Sequence, residues 1–172
     1  MKRLIDETEI RAAVIELGRQ ISADYRRRPL TALGVVTGSI VLLADLIRVI
    51  DLPLRVGLIQ ASSYRGATTA AGELSIGTDL LPDVTDRDVL LVDDIFDSGR
   101  TLATLCGILR EKQASSVRTA VLLWKDRPTD VDLQPDYYCF KIPDVFVVGY
   151  GLDYDGEYRH LPYIAELEEA DR

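Results

Sequence analysis

The sequence predicts an α/β domain: a central, mostly parallel sheet flanked by helices. Three observations carry that expectation. Apolar runs such as Leu33–Val36 and Val89–Val92 are continuous rather than alternating, as strands buried on both faces require. They are interleaved with segments whose apolar residues recur at helical spacing. The chain of 172 residues, 47% hydrophobic and 28% charged, is ordinary for one globular domain that holds a core without disulfides or a structural metal.

Taken in order, Ile10, Ala13, Val14, Leu17, Ile21 and Tyr25 step by three and four behind Thr8, a residue able to cap a first turn. This predicts an amphipathic helix ended by Pro29. Leu33–Val36 reads as a short buried strand, Thr37-Gly38-Ser39 as a tight turn, and Ile40–Ile50 as a helix. Leu54–Ile59 is the next strand. From Gln60 to Asp83 periodicity is lost among Gly66, Gly72, Gly77 and Pro82, which predicts a mobile binding loop or lid, with a plain β-hairpin as the alternative. Asp88–Val92 is a fully apolar-cored strand, Asp93 to Thr101 a polar turn, Leu102–Lys112 a helix and Val117–Trp124 a strand. Past Pro128 the pattern changes: Tyr137–Phe140 and Val145–Val148 read as short strands and Leu161–Leu167 is less regular, together a small lobe beside the sheet. No repeat or linker divides residues 1–172, so one domain is expected, its core sheet over about 30–127 and a second lobe from the N-terminal segment and about 128–172.

Charge and composition exclude several functions. Lys and Arg number 20 against 28 Asp and Glu, a net charge of −8, which works against binding nucleic acid through its phosphates. Arg26-Arg27-Arg28 is the only basic run and reads as the solvated end of a helix. Cys106 and Cys139 stand far apart with no C-x-x-C, as reduced, buried, inert thiols do. The N-terminus reaches Asp6 and Glu7 before an apolar stretch develops, and no apolar run is long enough to span a membrane, so a cytoplasmic location with no membrane partner is expected. His160 is the single histidine, which leaves no multi-histidine zinc site; a metal here would be held by carboxylates and phosphates, hence Mg²⁺.

In parallel α/β sheets ligands bind beyond the carboxyl ends of the strands. After Val92 come Asp93 and Asp94, then Asp97-Ser98-Gly99-Arg100-Thr101 leading into a helix. A glycine turn, outward amides and two hydroxyls at a helix start make a phosphate cradle. It is not a Walker A loop, because that pattern would need glycine at Asp94 and lysine at Arg100. Two carboxylates beside a bound anion repel it unless they hold sugar hydroxyls or Mg²⁺. A ribose 5-phosphate meets both demands.

The stretch Val89–Leu102 resembles the phosphoribosyl-pyrophosphate motif of type I phosphoribosyltransferases. Trp124-Lys125-Asp126-Arg127-Pro128, the block Asp144–Arg159 and Ser62-Ser63-Tyr64 resemble the hypoxanthine-guanine branch of that family, and the likeness covers about Leu33 to Arg159 in order and spacing. The resemblance implies the type I phosphoribosyltransferase fold, with a small hood lobe and a flexible active-site loop. It implies Mg²⁺-dependent transfer of ribose 5-phosphate from phosphoribosyl pyrophosphate to N9 of a 6-oxopurine. In that reading Asp93 and Asp94 hold the ribose hydroxyls, and Asp97, Ser98, Gly99, Arg100 and Thr101 surround the 5-phosphate. Asp97 also serves as general acid/base at N7 of the purine. Lys125 donates to the purine 6-oxygen, Phe146 stacks on the ring and the Val147 backbone meets its edge. Asp153 reaches Mg²⁺ on the pyrophosphate, with Asp93 and Asp94 nearby, and Arg159 binds the pyrophosphate. Thr37-Gly38-Ser39 occupies the place of the pyrophosphate loop; many relatives carry Lys or Arg where Thr37 stands, so a charged contact is missing here. Ser63 and Tyr64 fall in the segment that closes over the reacting centre. Relatives commonly form homodimers or homotetramers.

Rival readings fail on order or charge. A receiver domain has its acidic pair after the first strand, whereas two strand–helix units precede Asp93-Asp94 here. An RNA-binding regulator on the same fold would want a basic face, against a net charge of −8. A serine hydrolase would need a second glycine after Gly38-Ser39-Ile40. Adenine or xanthine could replace hypoxanthine or guanine, but the Phe146–Asp153 block favours the 6-oxopurine branch.

Overall fold

A computed structural model describes residues 1–63 and 74–168. In chain order the elements are β1 (Lys2–Ile5), α1 (Glu7–Asp24), β2 (Leu30–Val36), α2 (Ile40–Val49), β3 (Leu54–Ser63), β4 (Leu74–Gly77), β5 (Asp88–Phe96), α3 (Arg100–Glu111), β6 (Ser116–Lys125), β7 (Tyr137–Ile142), β8 (Val147–Val148) and β9 (Ile164–Glu166). A six-stranded sheet runs β4-β3-β2-β5-β6-β7, parallel except for β4, and a three-stranded antiparallel sheet runs β1-β9-β8.

The two-residue period of a strand splits the large sheet into two apolar faces. Leu30, Ala32, Leu90 and Val92 meet Val14, Leu17 and Ile21 of α1 and Leu42 and Leu46 of α2 in one cluster. Leu33, Val35, Val89 and Leu91 meet Leu102, Leu105 and Leu109 of α3 in the other. With helices on both faces, all five parallel strands turn their carboxyl ends to the same rim, where the loops before α2 and α3 lie.

Several local expectations change. The cap of α1 is Asp6, whose N–H donates to Glu9 Oε2 at 2.9 Å in a capping box, and Thr8 sits inside the helix. The acidic pair does not lie in a turn: β5 continues to Phe96, registered with Trp124 of β6, so Asp93 and Asp94 are strand residues. Tyr137–Ile142 is not part of a small lobe; it pairs with β6 as the parallel edge strand of the large sheet. The small sheet instead joins the N-terminal β1 to β8 and β9, a strand too short and too charged in Lys2-Arg3 to stand out beforehand. The stretch expected to lose structure after Gln60 carries strand at both ends, since Gln60–Ser63 pairs antiparallel with Leu74–Gly77. That is the hairpin alternative for the described flanks, and Tyr64 lies outside the described residues.

Candidate active site

A cleft of about 290 Å³ opens at the carboxyl ends of β2 and β5, and it is lined by backbone and side chains from the turns that follow each strand. The β5 turn supplies Asp97, Ser98 and Gly99. Gly99 has φ +80°, and a Cβ there would stand 2.6 Å from both Phe96 Cζ and Val131 Cγ2, so no other residue fits without displacement. It starts α3, where the Arg100 N–H donates to Ser98 Oγ at 3.4 Å and the Gly99 and Thr101 amides have no partner among the described residues. Ser98, Gly99 and Thr101 line the cleft. The Arg100 guanidinium does not: it is exposed and paired with Asp130 at 2.8 Å, so only the Arg100 backbone belongs to the turn.

Asp93 and Asp94 also line the cleft. Asp93 is 8% exposed and its Oδ1 accepts the Asp94 N–H at 2.9 Å. Burial pushes the Asp93 carboxyl well above the usual carboxylate range, and the neighbouring Asp94 adds to it. Burial raises Asp94 as well, against a lowering influence from Arg159. Two adjacent acids in this state favour holding a proton, and donors or a cation brought by a ligand would favour their ionised form instead.

The β2 turn packs directly on them. A Cβ on Gly38 would stand 1.8 Å from Asp94 Oδ2, and one on Gly151 would stand 2.2 Å from Gly38 O, so the two glycines allow three backbone and side-chain layers to meet. The Val36–Thr37 peptide is cis. Of the residues expected in this loop, Gly38 lines the cleft, Ser39 is wholly buried with its Oγ unpartnered, and Thr37 contributes no charge. From the far side come Arg159 and Asp153, both lining the cleft. Arg159 Nη2 is 2.7 Å from Asp153 Oδ1, its Nη1 donates to Gly151 O, and Asp153 Oδ2 accepts the Gly156 N–H at 2.9 Å.

The end of β6 adds a second group of charges. Lys125, with a side chain 12% exposed, places Nζ 3.4 Å from Asp97 Oδ2 and 3.2 Å from Asp144 Oδ1. Arg127 Nη1 lies 2.9 Å from Asp97 Oδ1 and 3.5 Å from Asp144 Oδ2. Two cations thus bridge two carboxylates. Lys125 was expected beside the site; Arg127 and Asp144 were not singled out, although a Lys-x-Arg pair just past an apolar strand was a usable signal. Phe146 is 38% exposed rather than core, stands edge-to-face with Tyr154 at 5.7 Å, and with Asp153 and Tyr154 borders a recess of about 720 Å³. Asp153 belongs to both the recess and the cleft. Val147 is buried in β8, its backbone registered with Glu166. Ser63 ends β3 opposite Leu74.

The sequence pattern of the phosphoribosyl transferase domain matches residues 2–155. The chain belongs to the phosphoribosyltransferase family. Among phosphoribosyltransferases it is similar to the hypoxanthine-guanine phosphoribosyltransferase of Streptococcus pneumoniae, 42% identical over 168 residues covering 98% of this chain and 93% of that one. It is also similar to the Bacillus subtilis enzyme of the same name, 42% identical over 169 residues with 98% and 94% covered. A crystal structure of hypoxanthine phosphoribosyltransferase from Staphylococcus aureus superposes with a TM-score of 0.92 at 38% identity, covering 99% of this chain and 92% of that one. In this phosphoribosyltransferase the acidic pair, the glycine turn and the start of α3 are one continuous piece of chain, so a sugar phosphate bound there meets all three at once.

Proposed function

We propose that this phosphoribosyltransferase serves purine salvage, transferring ribose 5-phosphate from phosphoribosyl pyrophosphate to N9 of hypoxanthine or guanine. The observation that supports it best is the position of Asp97. It is the last residue before the phosphate cradle and the carboxylate that Lys125 and Arg127 face. One turn therefore joins the sugar-phosphate side to the base side.

In this reading Asp93 and Asp94 accept hydrogen bonds from the ribose hydroxyls, and Ser98, Gly99 and Thr101 hold the 5-phosphate. Gly38 and Arg159 face the pyrophosphate. As N9 bonds to the anomeric carbon, the bond from that carbon to pyrophosphate breaks and the leaving group takes the electron pair. The proton on N7 passes to Asp97, a carboxylate suited to general base work once a base displaces its cationic neighbours. Lys125 then donates to the 6-oxygen, with Asp144 still within reach. A 6-amino group offers that ammonium no acceptor, so adenine leaves it unpaired. Phe146 stacks on the purine and Val147 presents its backbone to the ring edge. Ser63 and Tyr64 belong to the segment proposed to close over the centre and exclude water.

Mg²⁺ suits these donors. Among the described residues no group of three or more His, Cys, Asp or Glu converges as a metal cage, whereas the buried Asp93, the half-buried Asp94 and Asp153 line the cleft. Mg²⁺ is bound by one or two carboxylates together with substrate oxygens. Asp93, Asp94 and Asp153 would hold it, and it would offset the pyrophosphate charge. No described helix is long and apolar enough to cross a membrane. We place the reaction in the cytoplasm, in a homodimer or homotetramer, with small-molecule substrates and no nucleic acid partner.

The test is product identity. Incubated with phosphoribosyl pyrophosphate, Mg²⁺ and hypoxanthine, the protein yields the N9-linked nucleoside monophosphate by chromatography and NMR. No nucleotide, with hypoxanthine or with guanine, rejects the reading.

A further inference from the structure

At the opposite rim of the large sheet, the basic run is the exposed end that follows α1, as its sequence predicts, and its Arg27 and Arg28 line a pocket of about 530 Å³ together with Arg55 and Arg87. We propose that this pocket is a second ligand site, binding a nucleoside polyphosphate. The proposal is independent of the catalytic reading.

The four guanidinium groups come from three segments: the turn between α1 and β2, the start of β3 and the residue before β5. Parallel pairing brings them together, since Thr31 of β2 is registered with Arg55, and Arg87 Nε donates to Thr31 Oγ1 at 2.6 Å. Two of the four have structural work. Arg28 forms a fork with the buried Asp88, and Arg87 also donates to Leu30 O. Arg27 and Arg55 are exposed and make no ion pair among the described residues. Arg27 is held at φ +64°, outside the conformations a long side chain prefers. The carboxylates nearby do not cancel this charge. Asp88 is taken by Arg28 and by Ser116 Oγ, and Asp83 acts on Arg55 only at longer range. Burial and the charge of Arg55 make protonation of Arg87 less favourable, and Asp88 opposes them only in part, so a bound anion would relieve the group.

The chemistry of the walls names the ligand class. Guanidinium forks match phosphate oxygens in pairs, and several forks suit a chain of phosphates better than one. The rest of the lining is apolar: Pro29, Leu52, Pro53 and Leu54. That is a surface for a flat ring, and the volume falls within the range of small-ligand sites. On a chain of net charge −8, a basic hollow concentrates anions locally against the overall repulsion.

The experiment is equilibrium dialysis with ATP. The full chain carries either Ser98→Glu, which places a carboxylate in the phosphate cradle of the cleft, or Arg27→Glu with Arg55→Glu. Ser98→Glu retains about one ATP per chain with unchanged affinity, bound less tightly as salt rises. The arginine double variant weakens that binding at least about tenfold, with its melting temperature unchanged. Where glutamates unfold the chain, Arg27→Gln with Arg55→Gln gives the same comparison. Undiminished ATP binding in the arginine variant overturns the proposal, as does loss of all ATP binding in Ser98→Glu. Binding of an eight-nucleotide single-stranded RNA without binding of ATP also overturns it, by assigning the face to a polymer.

Discussion

Asp97 stands between Lys125 and Arg127 while also opening the phosphate turn, and its two oxygens are each engaged by a different cation. Asp97→Asn keeps the size and removes the proton acceptor. Steady-state kinetics should show kcat lower by roughly 10²–10⁴-fold, the range of general acid–base assistance, with phosphoribosyl pyrophosphate binding largely kept. An unchanged kcat would make Asp97 structural. Gly38 is the second decisive position, because a methyl group there collides with Asp94 Oδ2. Gly38→Ala should raise the KM for phosphoribosyl pyrophosphate by at least about tenfold and lower the melting temperature, as overpacking against Asp94 does; a normal KM would show that the loop yields. The thiols make a simpler check. Burial pushes Cys106 up and Cys139 up to about 12, so neither should react with a disulfide reagent at pH 8 within minutes, whereas the unfolded chain should react twice. The residues that the sequence groups together and the structure also gathers along one cleft, Asp93, Asp94, Asp97, Ser98, Gly99 and Thr101, are near neighbours in the chain, since a turn chemistry confined to one stretch is visible in one stretch. The pairing of Arg127 with Asp144 is not legible in sequence because it depends on a strand end and a distant loop converging, and that of Arg100 with Asp130 because the partners lie 30 residues apart.

Elements were legible where burial is uniform. The apolar runs of β2, β5 and β6 and the stripe of α1 announced themselves, while strand ends did not, because polar Asp93 and Asp94 imitate a turn yet satisfy the β6 ladder. The short edge strand β1 carries too few apolar residues to stand out, whereas β7 reads as a strand but nothing in its own residues says which sheet it joins. One interaction ties the elements at the far rim: Asp88, at the start of β5, accepts from Arg28 Nε at 2.7 Å and from Ser116 Oγ at 2.5 Å. Burial alone would raise this carboxyl, but the Ser116 and Arg28 hydrogen bonds outweigh it and hold it below the usual range. A depressed native value stabilises the fold above the unfolded pKa, and that contribution is lost as pH falls through the native one. Asp88→Asn should therefore cost about 1–3 kcal/mol in urea unfolding at pH 7, the scale of hydrogen bonds to a charged group. The difference from the unaltered chain should shrink steadily below about pH 4. A difference that stays constant with pH would mean the carboxylate charge contributes nothing.

The whole molecule sets two rims of one sheet to opposite electrostatic uses. At the carboxyl rim Asp93 and Asp94 meet a helix start and a glycine loop, the place proposed for a ligand with both hydroxyls and phosphates. At the amino rim, arginines gather against the overall negative charge. Chain topology explains the first, since parallel strands send every following turn to the same side, and it lets Lys125 at the end of β6 reach Asp97 in the turn that leads to α3. The proposed selectivity rests on that same reach, since an ammonium finds an acceptor in a purine 6-oxygen and none in a 6-amino group. The most direct measurement is pyrophosphate release on mixing the protein with phosphoribosyl pyrophosphate, Mg²⁺ and each purine in turn. Hypoxanthine or guanine should sustain turnover and adenine should be at least about a hundredfold poorer in kcat/KM; turnover with adenine equal to that with hypoxanthine, or none with any 6-oxopurine, would contradict the account.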